Sequence, residues 1–402
     1  MGQRRVERDD RLLLAAGIVG TAFCLRLVFA SLSVRLPEVV RATGLVPWQV
    51  GLLTTLPVLC LGICAPLAPR LARHWGTERS LFCALLLIAL GTACRALGPV
   101  WALFSFSILT GAAIATANVL LPTLVKRDFE ARTALLTGAY VTAISGGAAL
   151  AAAITVPLEA LLGGGWQVGL SIWAIPVVVA LVLWWPQVRR RTLRVGGVVL
   201  PVIGLWRDPL AWSVALFMGL QSALAFCVLG WLAPILRERG LDAVTAGLVL
   251  SVLIVVQLAT SLTVPSIATR RPGQRLLAVG LSIAAMTGLL GLLLAPLASV
   301  WIWAILQGLA QGGLFSLALT MVLLRSPDSH VASHLSSMAQ SVGYIPAALA
   351  PLGVGLLHQW TGGFEAVTGL VVFIGIGLVV TGMMAGRAMV VSARIRHDPV
   401  PA

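Results

Sequence analysis

Long apolar stretches alternate with short polar ones along the whole chain. Runs of spanning length fall at 11–33, 48–69, 80–98, 100–125, 133–157, 167–186, 209–233, 243–267, 275–297, 299–324, 334–358 and 364–386. About 20 apolar residues rising 1.5 Å each cross a hydrocarbon core about 30 Å thick, so the pattern predicts twelve transmembrane helices. The first run has no small-residue cleavage site and is expected to be retained as a helix. The chain also repeats itself. A shift of 196 positions carries Arg41, Gly44, Leu45, Gly51, Leu52, Pro69, Ala72 and Arg79 onto Arg237, Gly240, Leu241, Gly247, Leu248, Pro265, Ala268 and Arg275; a shift of 200 carries Val100, Trp101 and Asp128 onto Val300, Trp301 and Asp328. The expected organisation is a six-helix half over 1–186, a basic linker over 187–208 and a second six-helix half over 209–402. Because six is even, both halves enter the bilayer from the same side, which makes the repeat parallel about an axis along the membrane normal.

Composition narrows the class. With 59% hydrophobic and 10% charged residues and a mean hydropathy of +0.98, a water-soluble domain of 402 residues would expose most of its apolar surface. The net charge of +14 does not call for nucleic acid, because the basic residues sit in short clusters between apolar runs, where they act as orientation signals. Only Arg35, Arg41, Arg95, Arg237 and Arg239 fall on the outer side if both termini are cytoplasmic, and Arg26 alone falls within the membrane; every other Lys and Arg lies inside. Trp48, Trp101, Trp166, Trp231, Trp301 and Trp360 near outer ends, and Trp75, Trp184, Trp185 and Trp206 near inner ones, form the aromatic belts such an arrangement uses. The expectation is a multi-pass monomer in a bacterial cytoplasmic membrane, with the bilayer as partner and both termini and the linker inside. The six cysteines lie in apolar runs, and although Cys60 and Cys64 share a helical face, no His or carboxylate is near them in sequence. No metal and no cofactor is expected.

Polar residues at membrane depth carry the candidate chemistry. Arg26 lies in the first run, roughly 22 Å along the helix from Arg11. An arginine at that depth costs about 2.5 to 3.5 kcal/mol on insertion scales and usually faces a bundle interior or a watery cavity; snorkelling to the headgroups is the alternative. Arg95 has comparable depth, but Gly98 and Pro99 end its helix, so snorkelling is expected there. Asn118 precedes Pro122 by four residues, and the proline ring leaves the Asn118 carbonyl without its usual partner. Gln221, Gln257, Gln307, Gln311 and Gln340 all fall within spans, and Gln307 and Gln311 share a face. Each reads equally as solute contact or as interhelical glue worth about 0.6 kcal/mol. Tyr140 and Tyr344, on helices 5 and 11, read either as equivalent places in the two halves or as amphipathic packing. Ser145-Gly146-Gly147 reads as helix packing rather than a nucleophile site, and the five histidines fall in loops, at helix ends or in the tail, so no catalytic residues are expected.

The two parallel halves and the basic stretch PRLARHWGTERSL at 69–81, between helices 2 and 3, resemble the major facilitator superfamily: Leu71, Ala72 and Gly76 keep its loop pattern, while Arg73 stands where an aspartate is usual. Three further stretches resemble the bacterial cyanate and nitroimidazole transporter family: Leu25-Arg26 followed by Leu36-Pro37, NVLLPTLVKRDF at 118–129, and QSVGYIPAALAPLGVGLLH at 340–358 with Thr361-Gly362-Gly363. Departures are Cys24 and Leu27, where Asn and Pro are expected, and Glu130, where Pro is common. The resemblance implies an all-α membrane fold whose helices 1, 4, 7 and 10 line a cavity. That favours Arg26, Asn118, Gln221, Gln307 and Gln311 as substrate-binding residues, to which Tyr140 and Tyr344 are added. It implies movement of a small anion or a polar nitro- or cyanate-like solute by alternating access. Drug or metabolite efflux is the rival within transport, and a receptor or intramembrane enzyme the rival class. Arg26 has no Asp, Glu, Lys or His at comparable depth, so a fixed charge that meets the solute, rather than a proton relay, is expected.

Overall fold

A backbone in hydrocarbon must satisfy its own N–H and C=O groups, and an unbroken helix does so. In the computed structural model, which describes residues 2–129, 133–188 and 202–395, the apolar runs are helical. The elements are α1 (Gly2–Cys24), α2 (Leu27–Thr43), α3 (Pro47–Ile63), α4 (Leu67–Trp75), α5 (Thr77–Cys94), α6 (Val100–Asp128), α7 (Thr133–Leu162), α8 (Gly165–Ser171), α9 (Ala174–Val188), α10 (Pro209–Glu238), α11 (Ala243–Ala268), α12 (Arg275–Leu294), α13 (Val300–Leu324), α14 (Ser329–Thr361) and α15 (Val367–Ala385). The pair β1 (Val202–Ile203) and β2 (Arg394–Ile395) is antiparallel. Among the described residues eleven spans are long and apolar enough to cross a membrane, and α3 with α4 makes a twelfth if that bent pair counts as one. Glu130 and 189–201 of the linker lie outside the described residues.

Two boundaries differ from expectation. The first span does not stop at 33: α1 and α2 together run over Leu12–Thr43, taking Arg35, Glu38 and Arg41 into the helix. Ion pairs at Arg35 and Glu38 offset the cost of carrying those charges inside. The second run, 48–69, is not one helix. It breaks between Ile63 and Leu67 with a 59° bend, because Pro66 has no N–H for the ladder and disfavours helical geometry at Ala65. The expected loop at 69–81 is therefore helical up to Trp75, with Gly76 at φ 91° turning directly into α5. At the start of α5 buried Glu78 pairs with Arg127, which also holds Asp128, and Trp184 Nε1 donates to the Glu78 carbonyl.

Contacts gather the chain into two compact units. The first comprises Met1–Val195 with Leu229–Val255. Within it α7 crosses α1 closely enough that a Cβ at Gly147 would lie 2.0 Å from the Phe23 carbonyl oxygen. Gly247 of α11 likewise meets the Ala152 carbonyl of α7, and Ser33 of α2 donates to the Gly230 carbonyl of α10. Beside these contacts sits a cluster of four charges. Arg35 binds Glu159 and lies 3.8 Å from Glu38, and Glu38 accepts from Arg237 at 2.6 Å.

The second unit comprises Gly196–Val228 with Val256–Ala402. Here α10 and α14 cross at Gly219 and Gly343, a Cβ on Gly219 falling 2.8 Å from Gly343 Cα. Shifting by 196 carries Phe23 and Gly147 onto Gly219 and Gly343, so the internal repeat reproduces a helix crossing and not only a sequence pattern. In that register Tyr140 answers to Ser336 and Tyr344 to Ala148. The tyrosines are thus about two turns apart rather than equivalent. At one end of this unit Asp208 accepts from the N–H groups of Leu210 and Ala211, capping α10, and from the N–H and hydroxyl of Ser392. Burial opposes the charge of Asp208, but these hydrogen bonds outweigh it and hold the carboxyl below its ordinary range.

Candidate functional site

The site residues are set by where helices break and where they touch. Arg26 stands at the interruption between α1 and α2, at the N-cap of α2 with φ −116° and ψ −4°, and is half-buried. The ladder there is irregular: Leu25 N–H reaches back only to the Ala22 carbonyl at 3.1 Å, and the regular pattern resumes with Ala30 N–H to the Arg26 carbonyl at 3.2 Å. The guanidinium belongs to the residue at which the α2 dipole presents its positive end, so charge and dipole both favour a negative group there. Asn118 lies on α6, which continues through Pro122 to Asp128, and its side chain is exposed. Tyr140 on α7 is half-buried. These three residues lie in the first unit, where α1, α6 and α7 touch one another.

Gln221, Gln307, Gln311 and Tyr344 lie in the second unit. Gln311 of α13 donates at 3.1 Å to both the backbone and the side-chain oxygen of Gln221 on α10, and Gln221 donates at 2.8 Å to Ser222 Oγ. This pair makes the interhelical hydrogen bond that the glue reading describes, yet Gln311 Oε1 has no partner among the described residues. Gln307, fully buried one turn away, is different: neither its amide nitrogen nor its amide oxygen has a partner among the described residues, and it packs against Gly288 of α12. A buried unpaired amide costs about 1 to 3 kcal/mol, so Gln307 is the glutamine for which glue explains least. Tyr344 is half-buried and meets Phe226 edge-on, with centroids 6.5 Å apart. Gln257 and Gln340 are half-buried; Gln340 donates to Ser336 Oγ, and the Gln257 carbonyl faces Gly312.

Arg95 is where the structure departs most from expectation. It does not snorkel: its side chain is fully buried, running back from the end of α5 into the first turn of α2. Its sequence depth, comparable to that of Arg26, was the available signal, and the nearby Gly98 and Pro99 outweighed it. The four-charge cluster around Arg35 was missed for another reason, since its members are separated along the chain and each reads alone as a charge near a helix end. Among the described residues no three His, Cys, Asp or Glu side chains come together as a metal site.

Comparisons with known proteins agree with this architecture. The family model described as Major Facilitator Superfamily matches residues 18–351. The chain is similar to the 2-nitroimidazole transporter of Escherichia coli (strain K12), with 38% identity over 94% of this chain and 96% of that one. It is also similar to the cyanate transport protein CynX of the same organism, with 31% identity over 88% and 91%. Among solved structures, the D-xylose-proton symporter superposes with a TM-score of 0.77 over 94% of this chain and 98% of that one, at 12% identity.

Proposed function

Because this chain belongs to the major facilitator superfamily, we propose that it carries a small anionic or dipolar solute, of the cyanate or nitro-compound kind, across a bacterial cytoplasmic membrane by alternating access. The observation that carries the reading is Arg26, a half-buried guanidinium at a break within a spanning helix, which offers a planar fork to an anion or to the negative end of a nitro group. The relatives named for 2-nitroimidazole and cyanate support the same chemistry. In this reading the solute is bound by Arg26, and Asn118, Tyr140, Gln221, Gln307, Gln311 and Tyr344 are the further substrate-binding residues. The halves 1–186 and 209–402 are the moving parts, the linker 187–208 and both termini are cytoplasmic, and the protein is a monomeric carrier rather than an enzyme.

The test is uptake into proteoliposomes of radiolabelled cyanate, nitrite and 2-nitroimidazole, with an exported cationic dye as the contrasting substrate. Saturable uptake of at least one of the three above empty vesicles, blocked by unlabelled solute, is expected. Dye extrusion with no uptake of any of the three would replace the reading with drug efflux.

A further inference from the structure

The break that carries Arg26 has no local cause. Interruptions of a helical ladder trace to proline, to glycine or serine pairs, to π-bulges or to a side chain inserted into the ladder. From Phe23 to Phe29 the sequence has neither proline nor glycine. The group that reaches the far side of the break from another helix is Arg95. One terminal nitrogen of its guanidinium donates to the Val28 carbonyl at 2.9 Å and the other to Ser31 Oγ at 2.9 Å, both within the first two turns of α2. On the other side of the break the Phe23 carbonyl is pressed by α7 at Gly147.

Arg95 makes poor sense as a source of stability alone. It is fully buried, and among the described residues no carboxylate pairs with it and its Nε has no partner. An enclosed charge without a counter-charge is costly. What the guanidinium does offer is a rigid fork that holds two acceptors in fixed directions, and both acceptors lie in the two turns that follow Arg26. We infer that Arg95 is a positioning residue: it holds the first turn of α2 out of register with α1, and so sets where the Arg26 guanidinium stands. The inference rests on the proposal that Arg26 meets the solute.

Two readouts test it. The first is uptake kinetics with 2-nitroimidazole, or with cyanate if that is the solute carried. Arg95→Gln is expected to raise KM by about tenfold while Vmax stays within about twofold, the pattern of lost binding rather than lost protein. A proline at position 27 imposes a break through the backbone instead, since proline suits the first helical position and disfavours helix at the residue before it. Arg95→Gln/Leu27→Pro should therefore recover most of the affinity, while Arg26→Gln/Leu27→Pro recovers none. If Arg95→Gln does not accumulate in the membrane, Arg95→Lys, which keeps the charge but lacks the fork, takes its place in both comparisons.

The second readout needs no solute and so stands whether or not Arg26 binds one. Cys24 is fully buried at the end of α1, next to the break. In a protein that keeps Cys24 as its only cysteine, Arg95→Gln should accelerate alkylation by N-ethylmaleimide about tenfold, as expected for a freed local segment. Unchanged alkylation, wild-type KM in Arg95→Gln, or failure of the proline to restore affinity would each overturn the positioning role. Normal uptake by Arg26→Gln, in contrast, would overturn only the solute-binding proposal.

Discussion

Arg26→Gln is expected to lower uptake at sub-saturating solute by about 100-fold, the equivalent of about 3 kcal/mol for losing a charge-assisted, two-pronged contact. The amount of protein in the membrane should not fall, because removing an intramembrane charge lowers the cost of insertion. Arg26→Lys keeps the charge but loses the planar fork, and about a tenfold loss is expected. Paired measurements of uptake and abundance separate the effect from misfolding. Normal uptake by Arg26→Ala would restore the alternative in which this arginine only snorkels.

The second large effect concerns stability. Arg35 and Glu159 pair where both side chains are only 10% exposed, and Glu38 bridges Arg35 to Arg237. Replacing one member of such a pair leaves the other charge enclosed, so Glu159→Gln is expected to destabilise the detergent-solubilised protein by about 2 to 4 kcal/mol, lowering its thermal midpoint by several degrees. The range is set below that of an isolated pair because Glu38 still stands 3.8 Å from Arg35. Replacing both partners by residues that fill the same volume removes the uncompensated charge along with the pair. Arg35→Met/Glu159→Met should therefore regain most of the lost midpoint. A double variant no more stable than Glu159→Gln would mean that packing around the cluster, not its charge, sets the loss.

What could be read from the sequence follows from which forces are local. Spans and their repeat were legible because hydrocarbon fixes a length and the repeat keeps its landmarks; that Phe23 and Gly147 answer to Gly219 and Gly343 came only from the crossings. The break in α3–α4 had a local signal in Ala65-Pro66, hidden by the apolar residues on both sides of it. The break at Arg26 had none, and Arg95, which binds the turns after it, comes from another helix. Tyr140 and Tyr344 were paired by type and helix number alone, and only the crossing geometry fixes the register that separates them. The Gln221–Gln311 bond falls within the glue alternative, whereas the unpaired amide of Gln307 could not be foreseen, because satisfaction of a buried group depends on every neighbour.

The central claim is that a fixed positive charge at Arg26 recognises the solute itself. An arginine side chain stays protonated at any pH at which the protein is folded, so it cannot relay protons. Any pH dependence of uptake should then follow ionisation of the solute. The direct measurement is uptake against pH in proteoliposomes for two carried solutes whose pKa values differ by about two units, enough to separate two titrations that each span about two pH units. The account predicts two midpoints displaced by about that difference. A common midpoint for both solutes would contradict it and point to a titrating group of the protein, with the buried Glu159 beside Arg35 the first to replace.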